Sequence, residues 1–482
     1  MSYQITASQY FTSKQQIRNT YVRINLLDFN FFTVDVIEGH VLDGSISINA
    51  KSDIRRSGNL SFVVTDSSFI IQPGGEIWLD KYVKIEIGIE NIQTRSIVWN
   101  NLGIFLINQP TYEYDASTNT MSFQCVDLMA KITGLRNGYI LGISSEGYVL
   151  IPEGSNVREA IIDIVKKCGF TSYYVSDCLN VDGALQNVPY DMQFDQGTTW
   201  YEILSDLRDI LPNYQVYFDV DGVFRYERIP SGENDPVMIT EDLWNDNLLK
   251  EVVNVSFNDV KNVVEVWGRV HDTEYFSDST TTTISGNVIT PTWSELVSLE
   301  NYVITALSLS SNINNSNGIY INFLGRSLLI KDFSGNKITS LPKDEYLCFS
   351  YDSSGYWLYL GGQQAYAIWK DENPDSPFYI GSTIGEIPIV LSGEDYDNIT
   401  SDDLALQRAK YEIYKRCRLN DTIDLTTIPI YWADVNWKVT YTPLSGDKVS
   451  KEYMIQSINI PLNAGSSQSW NLSRFYPFYP VI

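Results

Sequence analysis

Val41 to Val64 reads VLDGSISINAKSDIRRSGNLSFVV: a strand, a basic polar bend and a second strand. Ile46 and Ile48, then Leu60, Phe62 and Val64, occupy alternate positions, and a period of two places such side chains on one face of a sheet. Working outward, the alternation continues through a tryptophan-marked strand, IWLDKYVKIEIG from Ile77, to GIFLINQPTYEYDASTNTMSFQCVDLMA from Gly103. Turns are expected at Asp43-Gly44, Ser57-Gly58, Pro73 to Gly75 and Asp115 to Asn119. Residues 21–127 therefore read as an antiparallel meander. So many strands leave long open edges unless they close as a barrel or sandwich.

The chain has 482 residues, too many for one core, and its length suggests roughly three or four domains. Hydrophobic residues make up 44 %, and the abundance of Tyr, Phe, Ile, Val and Thr favours strands over helices. A formal charge of −25 argues against a nucleic-acid binder, which concentrates Lys and Arg to neutralise phosphates. Excess acid keeps an aromatic-rich protein soluble; it would also suit a passage through which DNA slides without sticking. Cys125, Cys168, Cys178, Cys348 and Cys417 are scattered without metal-ligand spacing, and reduced thiols are expected. His40 and His271, the only histidines, supply zinc sites and Ser–His triads poorly. No signal-peptide pattern opens the chain, and no apolar run approaches the ~20 residues of a membrane span.

Residues 1–20 read as a polar arm. Asn156 with Glu159 predicts a capped helix carrying Val157, Ile161, Ile164, Val165 and Cys168 on one face. Thr199 with Glu202 predicts a second, with Ile203, Leu204, Leu207, Ile210 and Leu211. A hairpin turns at Asp221-Gly222. A Ser/Thr tract, DSTTTTISGN, reads as a linker into a small β module, and a helix from Thr400 to Arg418 carries Leu406, Ala409, Ile413 and Cys417. Three strands close the chain.

Chemistry is thinly marked. Asp219, Asp221 and Gly222 form a D-x-D-G fragment, but a calcium loop needs a closing Glu that is missing, so a β-turn is expected. The run Gly393 to Asp397 reads as a solvated loop before a helix. With 59 acidic residues, none is marked as an acid–base pair. No nucleophile elbow, phosphate-cradling loop or H-E-x-x-H is present. Arg55 and Arg56, at the bend, are either solvated or candidate contacts to acids of a neighbouring subunit. Tyr356, Trp357 and Tyr359, beside Tyr351, are candidate glycan contacts, although alternation turns about half of these rings into the module's own core.

The order of parts resembles a phage tail-hub protein: the trimeric baseplate hub of contractile tails, or the N-terminal hub of tail-associated proteins of siphophages. The resemblance is carried by Asp43-Gly44-Ser45 leading to Ile54-Arg55-Arg56-Ser57-Gly58, and by Gly103-Ile104-Phe105 leading to Tyr112-Glu113-Tyr114-Asp115. Cys125 to Ala130, the Asp219 to Phe224 hairpin and Val263 to Gly268 add to it. So do the Leu404 to Arg416 helix and Tyr453 to Ile460, followed by Arg474-Phe475-Tyr476-Pro477. Nearly the whole chain is covered except about residues 275–364, which depart from the hub plan.

The resemblance implies a mainly β fold with a small α+β domain and two tube-like β-barrel domains. The first barrel would take 21–135 plus 215–230, the α+β domain 136–214, and the second barrel 231–274 plus 365–482. Residues 275–364 would be an additional inserted β module. It further implies a non-enzymatic virion protein without cofactor or metal, made in the host cytoplasm. As a homotrimer it would match a hexameric tail tube to a threefold tip or spike and line the DNA ejection channel. Its partners would be the tail tube protein, distal tail or baseplate proteins, the spike or tip protein and the tape measure protein. The competing expectation is a glycan-binding adsorption protein, or a cell-wall glycan hydrolase, acting through the inserted module.

Overall fold

The computed structural model describes residues 5–476, apart from 39–40, 65–70, 76, 115–118, 141–147, 180–183, 189–190, 212, 294–299 and 344–345. His40, Asp115 and Pro477 lie outside the described residues. The chain is mainly β and divides into two compact units. One runs to Val255 and resumes at Asp421; the other is Ser256–Asn420.

The first unit opens with a short helix, α1 (Ala7–Ser13), capped by Thr6 and reciprocally by Gln9. Seven strands follow: β1 (Thr20–Leu27), β2 (Thr33–Glu38), β3 (Val41–Asn49), β4 (Arg56–Val63), β5 (Tyr82–Glu90), β6 (Ile97–Tyr114) and β7 (Asn119–Asp127). They pair in the order β3-β4-β7-β6-β5-β1-β2. Ile46, Ile48, Leu60 and Phe62 are buried on one face, as their alternation requires.

Two local expectations are corrected. Gly44 and Gly58 are not turn residues; they lie inside β3 and β4, opposite Leu60 and Ile46. A Cβ on Gly58 would fall 2.5 Å from Ile46 Cδ1 and 2.8 Å from the Ser45 carbonyl, so glycine is there for close packing. The bend itself occupies residues 50–55. Trp78 precedes β5, which starts only at Tyr82.

Next come β8 (Tyr148–Ile151), α2 (Val157–Lys167), β9 (Tyr173–Val175), β10 (Met192–Asp195), α3 (Trp200–Asp209), β11 (Tyr214–Phe218) and β12 (Phe224–Arg228). Asn156 caps α2, and Thr199 and Glu202 form a capping box on α3. Val157, Ile161, Ile164 and Val165 on α2 and Ile203, Leu204 and Leu207 on α3 are buried in a separate core with Phe218 and Phe224. The β11–β12 hairpin takes β9 as its third, parallel strand. Asp219 makes its turn: Oδ1 accepts the N–H groups of Asp221 and Val223, and Oδ2 binds Arg225 at 2.6 Å. A helix, α4 (Glu241–Asn247), then leads into β13 (Leu248–Ser256).

The second unit starts with β14 (Val263–Val270). Residues 275–361 then make a sheet of their own from β15 (Tyr275–Ser277), β16 (Thr283–Ser285), β17 (Val288–Thr290), β18 (Ile304–Leu307), β20 (Tyr320–Phe323), β21 (Arg326–Lys331), β23 (Leu347–Asp352) and β24 (Tyr356–Gly361). A side pair is formed by β19 (Ile313–Asn314) and β22 (Ser340–Leu341). The Ser/Thr tract is a bonded turn and not a linker: Asp278 Oδ1 accepts from Thr280 and Thr281, and Thr282 is buried against Ser277. After the module, β25 (Gln364–Lys370) and β26 (Pro388–Leu391) flank β14, and α5 (Asp402–Arg416) packs on the three-stranded sheet through Ala405 and Ala409.

The chain then returns to the first unit with β27 (Asn420–Thr427), β28 (Lys438–Tyr441), β29 (Lys451–Pro461) and β30 (Gln468–Arg474). These extend the first sheet: β29 pairs with β3, Ile460 facing Ile46, and the path continues through β30 and β27 to β13. One core serves both ends of the chain, joining Ile46, Phe62 and Phe105 to Trp244, Ile455 and Trp470. Among the described residues no helix is long and apolar enough to cross a membrane.

Candidate functional site: a buried arginine junction

Among the described residues no group of three His, Cys, Asp or Glu is placed to hold a metal ion. The five thiols are unbridged, and burial pushes Cys168, Cys178, Cys348 and Cys417 up to about 12, away from nucleophilic chemistry. His271 is buried with its ring nitrogens 2.8 and 2.9 Å from the carbonyls of Gly362 and Thr400, a backbone brace within the second unit. Polar side chains converge instead at the bend between β3 and β4.

There Arg55 and Arg56 are only 4 % and 1 % exposed. Arg55 donates to Gln215 Oε1 at 2.5 Å, and its guanidinium lies 3.6 Å over the Tyr217 ring. Gln215 Oε1 also accepts from Asn436 Nδ2 at 2.8 Å, and Tyr217 donates to Glu227 at 2.6 Å. Arg56 forms an ion pair with Asp434 and donates to the Phe218 carbonyl at 2.7 Å. Its backbone N–H reaches Asp127 Oδ2 at 2.8 Å, while Asp127 Oδ1 accepts from Met129 N–H at 2.9 Å. Burial pushes the Asp127 carboxyl up to about 6, against the pull of Arg56.

Four stretches far apart in sequence are thus tied together: the bend, the end of β7, strand β11 and the segment 434–436. Nothing in the arrangement supplies a nucleophile with a base. It fixes segments relative to one another. Both guanidinium groups are engaged inside the first unit, so neither is solvated. Their partners were not singled out from sequence, although Gln215, a lone amide in the apolar strand YQVYF, was the available signal.

The module's aromatic residues are placed differently. Trp357 is 0 % exposed, 5.5 Å from the Tyr351 ring and 5.8 Å from Trp293, and belongs to the core. Tyr356, half-buried, donates to Asp352 at 2.9 Å and lies beneath Lys331; Tyr359, also half-buried, packs on Phe349.

Asp127 gives a pH signature. Its folded pKa lies above the unfolded value of about 3.9, so it favours folding below that value and loses the contribution as pH rises through about 6. Between pH 5 and 7.5 the wild-type chain should lose about 1 kcal/mol that Asp127→Asn does not lose. Urea titrations of both proteins at the two pH values measure the difference, and parallel changes would refute it.

Comparison with known proteins gives the fold a relative. A prophage MuSo2 43 kDa tail protein from Shewanella oneidensis is similar over 94 % of this chain and 98 % of its own, with TM-score 0.51 and 12 % identity. The chain has the fold of a phage tail protein. A tail protein from Neisseria meningitidis MC58 gives TM-score 0.49 at 8 % identity, covering 95 % and 98 % of the two chains. The prophage tail protein gp18 from Listeria monocytogenes EGD-e gives 0.45 at 10 %, covering 93 % and 94 %. Residues 375–479 match the model of a domain of unknown function, DUF5048. No curated protein matches the chain in sequence. Within the tail-protein fold, the arginine junction is the polar lock that holds the first unit's parts in place.

Proposed function

We propose that this chain is a non-enzymatic structural protein of the phage virion, a homotrimeric tail or baseplate hub. The observation that carries the reading is the near full-length fold likeness to the MuSo2 tail protein. On this reading each subunit contributes two tube-like β regions, 21–135 with 215–230 and 231–274 with 365–482, so that three copies imitate a six-membered ring and meet a hexameric tube. Support comes from the ends of the large sheet. Each of β2 and β13 has one strand neighbour among the described residues, leaving a row of backbone groups and the exposed Val34, Val36, Leu249 and Val255 for pairing with other copies. The charge of −25 suits a lumen that repels the DNA backbone during ejection. The tail tube, distal tail or baseplate proteins, the tip or spike and the tape measure protein are its neighbours there.

Light scattering of the purified chain is expected to give three times its 54.9 kDa mass, and negative-stain images a ring. A chain that remains monomeric at micromolar concentration, with no ring in assembled particles, overturns the proposal.

A further inference from the structure

Charge in the second unit is segregated along the chain. Asp371 to Asp403 holds nine acidic residues and no lysine or arginine, whereas Leu404 to Asn420 holds five cations and a single acid, Glu412. Part of this serves α5 itself. Asp402 and Asp403 stand in its first turn and Lys415 and Arg416 in its last, where they oppose the helix dipole. Buried Glu412 holds Arg408 and Arg416 at 3.1 and 2.7 Å.

Two features are left over. Lys410 Nζ lies 4.8 Å over the ring of Trp369, which is 41 % exposed, so a cation and an aromatic ring share a surface patch. The second is the acidic loop between β25 and β26. It has no regular structure, yet its ends and middle are fastened by one fully buried side chain. Asn262 Nδ2 donates to the carbonyls of Phe378 and Gly385, both at 2.8 Å, and Oδ1 accepts from Ile387 N–H at 2.6 Å. The Asn262 backbone also bonds Asp371 and Ile387. Glu372 and Asp375 are exposed on the loop so held. Asp371 is engaged by Ser376 and Cys417, and Glu386 by Lys370, so the loop kept in one shape turns Glu372 and Asp375 outward, as suits recognition.

We propose that this loop docks on α5 of a second copy of the chain, its carboxylates meeting the Lys410–Trp369 patch. The existence of an oligomer rests on the hub reading above. Loop and patch are different residues, so the contact is heterologous and closes into a ring only when the rotation per subunit allows it. Charge complementarity fixes the register of the contact more than its strength.

Carbodiimide coupling of mixed isotopically light and heavy chains tests this directly. Lys410 or Lys415 should be joined to Glu372 or Asp375 in mixed-isotope peptides. Lys410→Glu and Asp375→Lys should each weaken assembly about tenfold at low salt, the combination should restore most of it, and Lys448→Glu, an exposed charge-matched control, should leave it unchanged. Equal melting temperatures show that the variants fold. If the variants assemble as tightly as wild type, if their losses add in the combination, or if cross-links stay within single-isotope peptides, the docking is overturned while the trimer stands. A wild-type chain that never assembles removes the hub reading as well.

Discussion

Arg56→Met is expected to destabilise the first unit by about 3–5 kcal/mol, the cost of breaking a buried ion pair from one side. The Asp434 carboxylate would lose its partner and the Phe218 carbonyl its donor, while methionine keeps the aliphatic stem packed. The backbone bond to Asp127 survives, since any residue supplies that N–H. Arg56 Nε has no hydrogen-bond partner, so the pair is imperfectly satisfied even in the wild type. Removing both charges with Arg56→Met/Asp434→Leu should therefore cost much less than the sum of the single changes. Urea unfolding followed by tryptophan fluorescence measures all three. A single-variant loss below about 1 kcal/mol, or strict additivity, would falsify the role given to the junction.

Trp244→Ala should cost the same unit about 3–5 kcal/mol through lost burial and the cavity left behind. Helix α4 inserts this indole, fully buried, into the core shared by the first and last strands. Its ring stands edge-to-face with Trp470 at 5.2 Å and with Tyr441 at 6.2 Å, and such aromatic pairs add to the area term. The indole N–H finds no hydrogen-bond acceptor, so Trp244→Phe forfeits no bond and should retain more than half of the lost stability. Thermal melts of the three proteins check the order. Alanine and phenylalanine variants of equal stability would show that the ring does not fill the core as described.

What could be read from the sequence was local. The alternation in 41–64 and the caps Asn156 and Thr199 mark their own elements, because period and capping are satisfied within a few residues. Helices α1 and α4, seven residues each, are too short to show a period. Gly44 and Gly58 misled because glycine signals a turn and a close backbone approach alike. On α5 the sequence pattern points to a stripe of Leu406, Ala409, Ile413 and Cys417. The structure buries Ala405, Ala409 and Glu412, the last because Arg408 and Arg416 flank it, and leaves Leu406 and Ile413 partly buried. Arg55 and Arg56 stood out as a basic pair, but their partners Gln215 and Asp434 lie 160 and 378 positions away, beyond any local pattern.

The seam between β3 and β29 carries a consequence for biosynthesis. Ile46 leaves the ribosome some four hundred residues before Ile460, the residue it faces. At a translation rate of roughly 5–20 residues per second, the nascent chain carries that raw strand border for about 20–80 seconds before its mate arrives. Over that interval it is a natural client for a holdase chaperone, and the late-made strand β29 acts as the zip that closes this sheet.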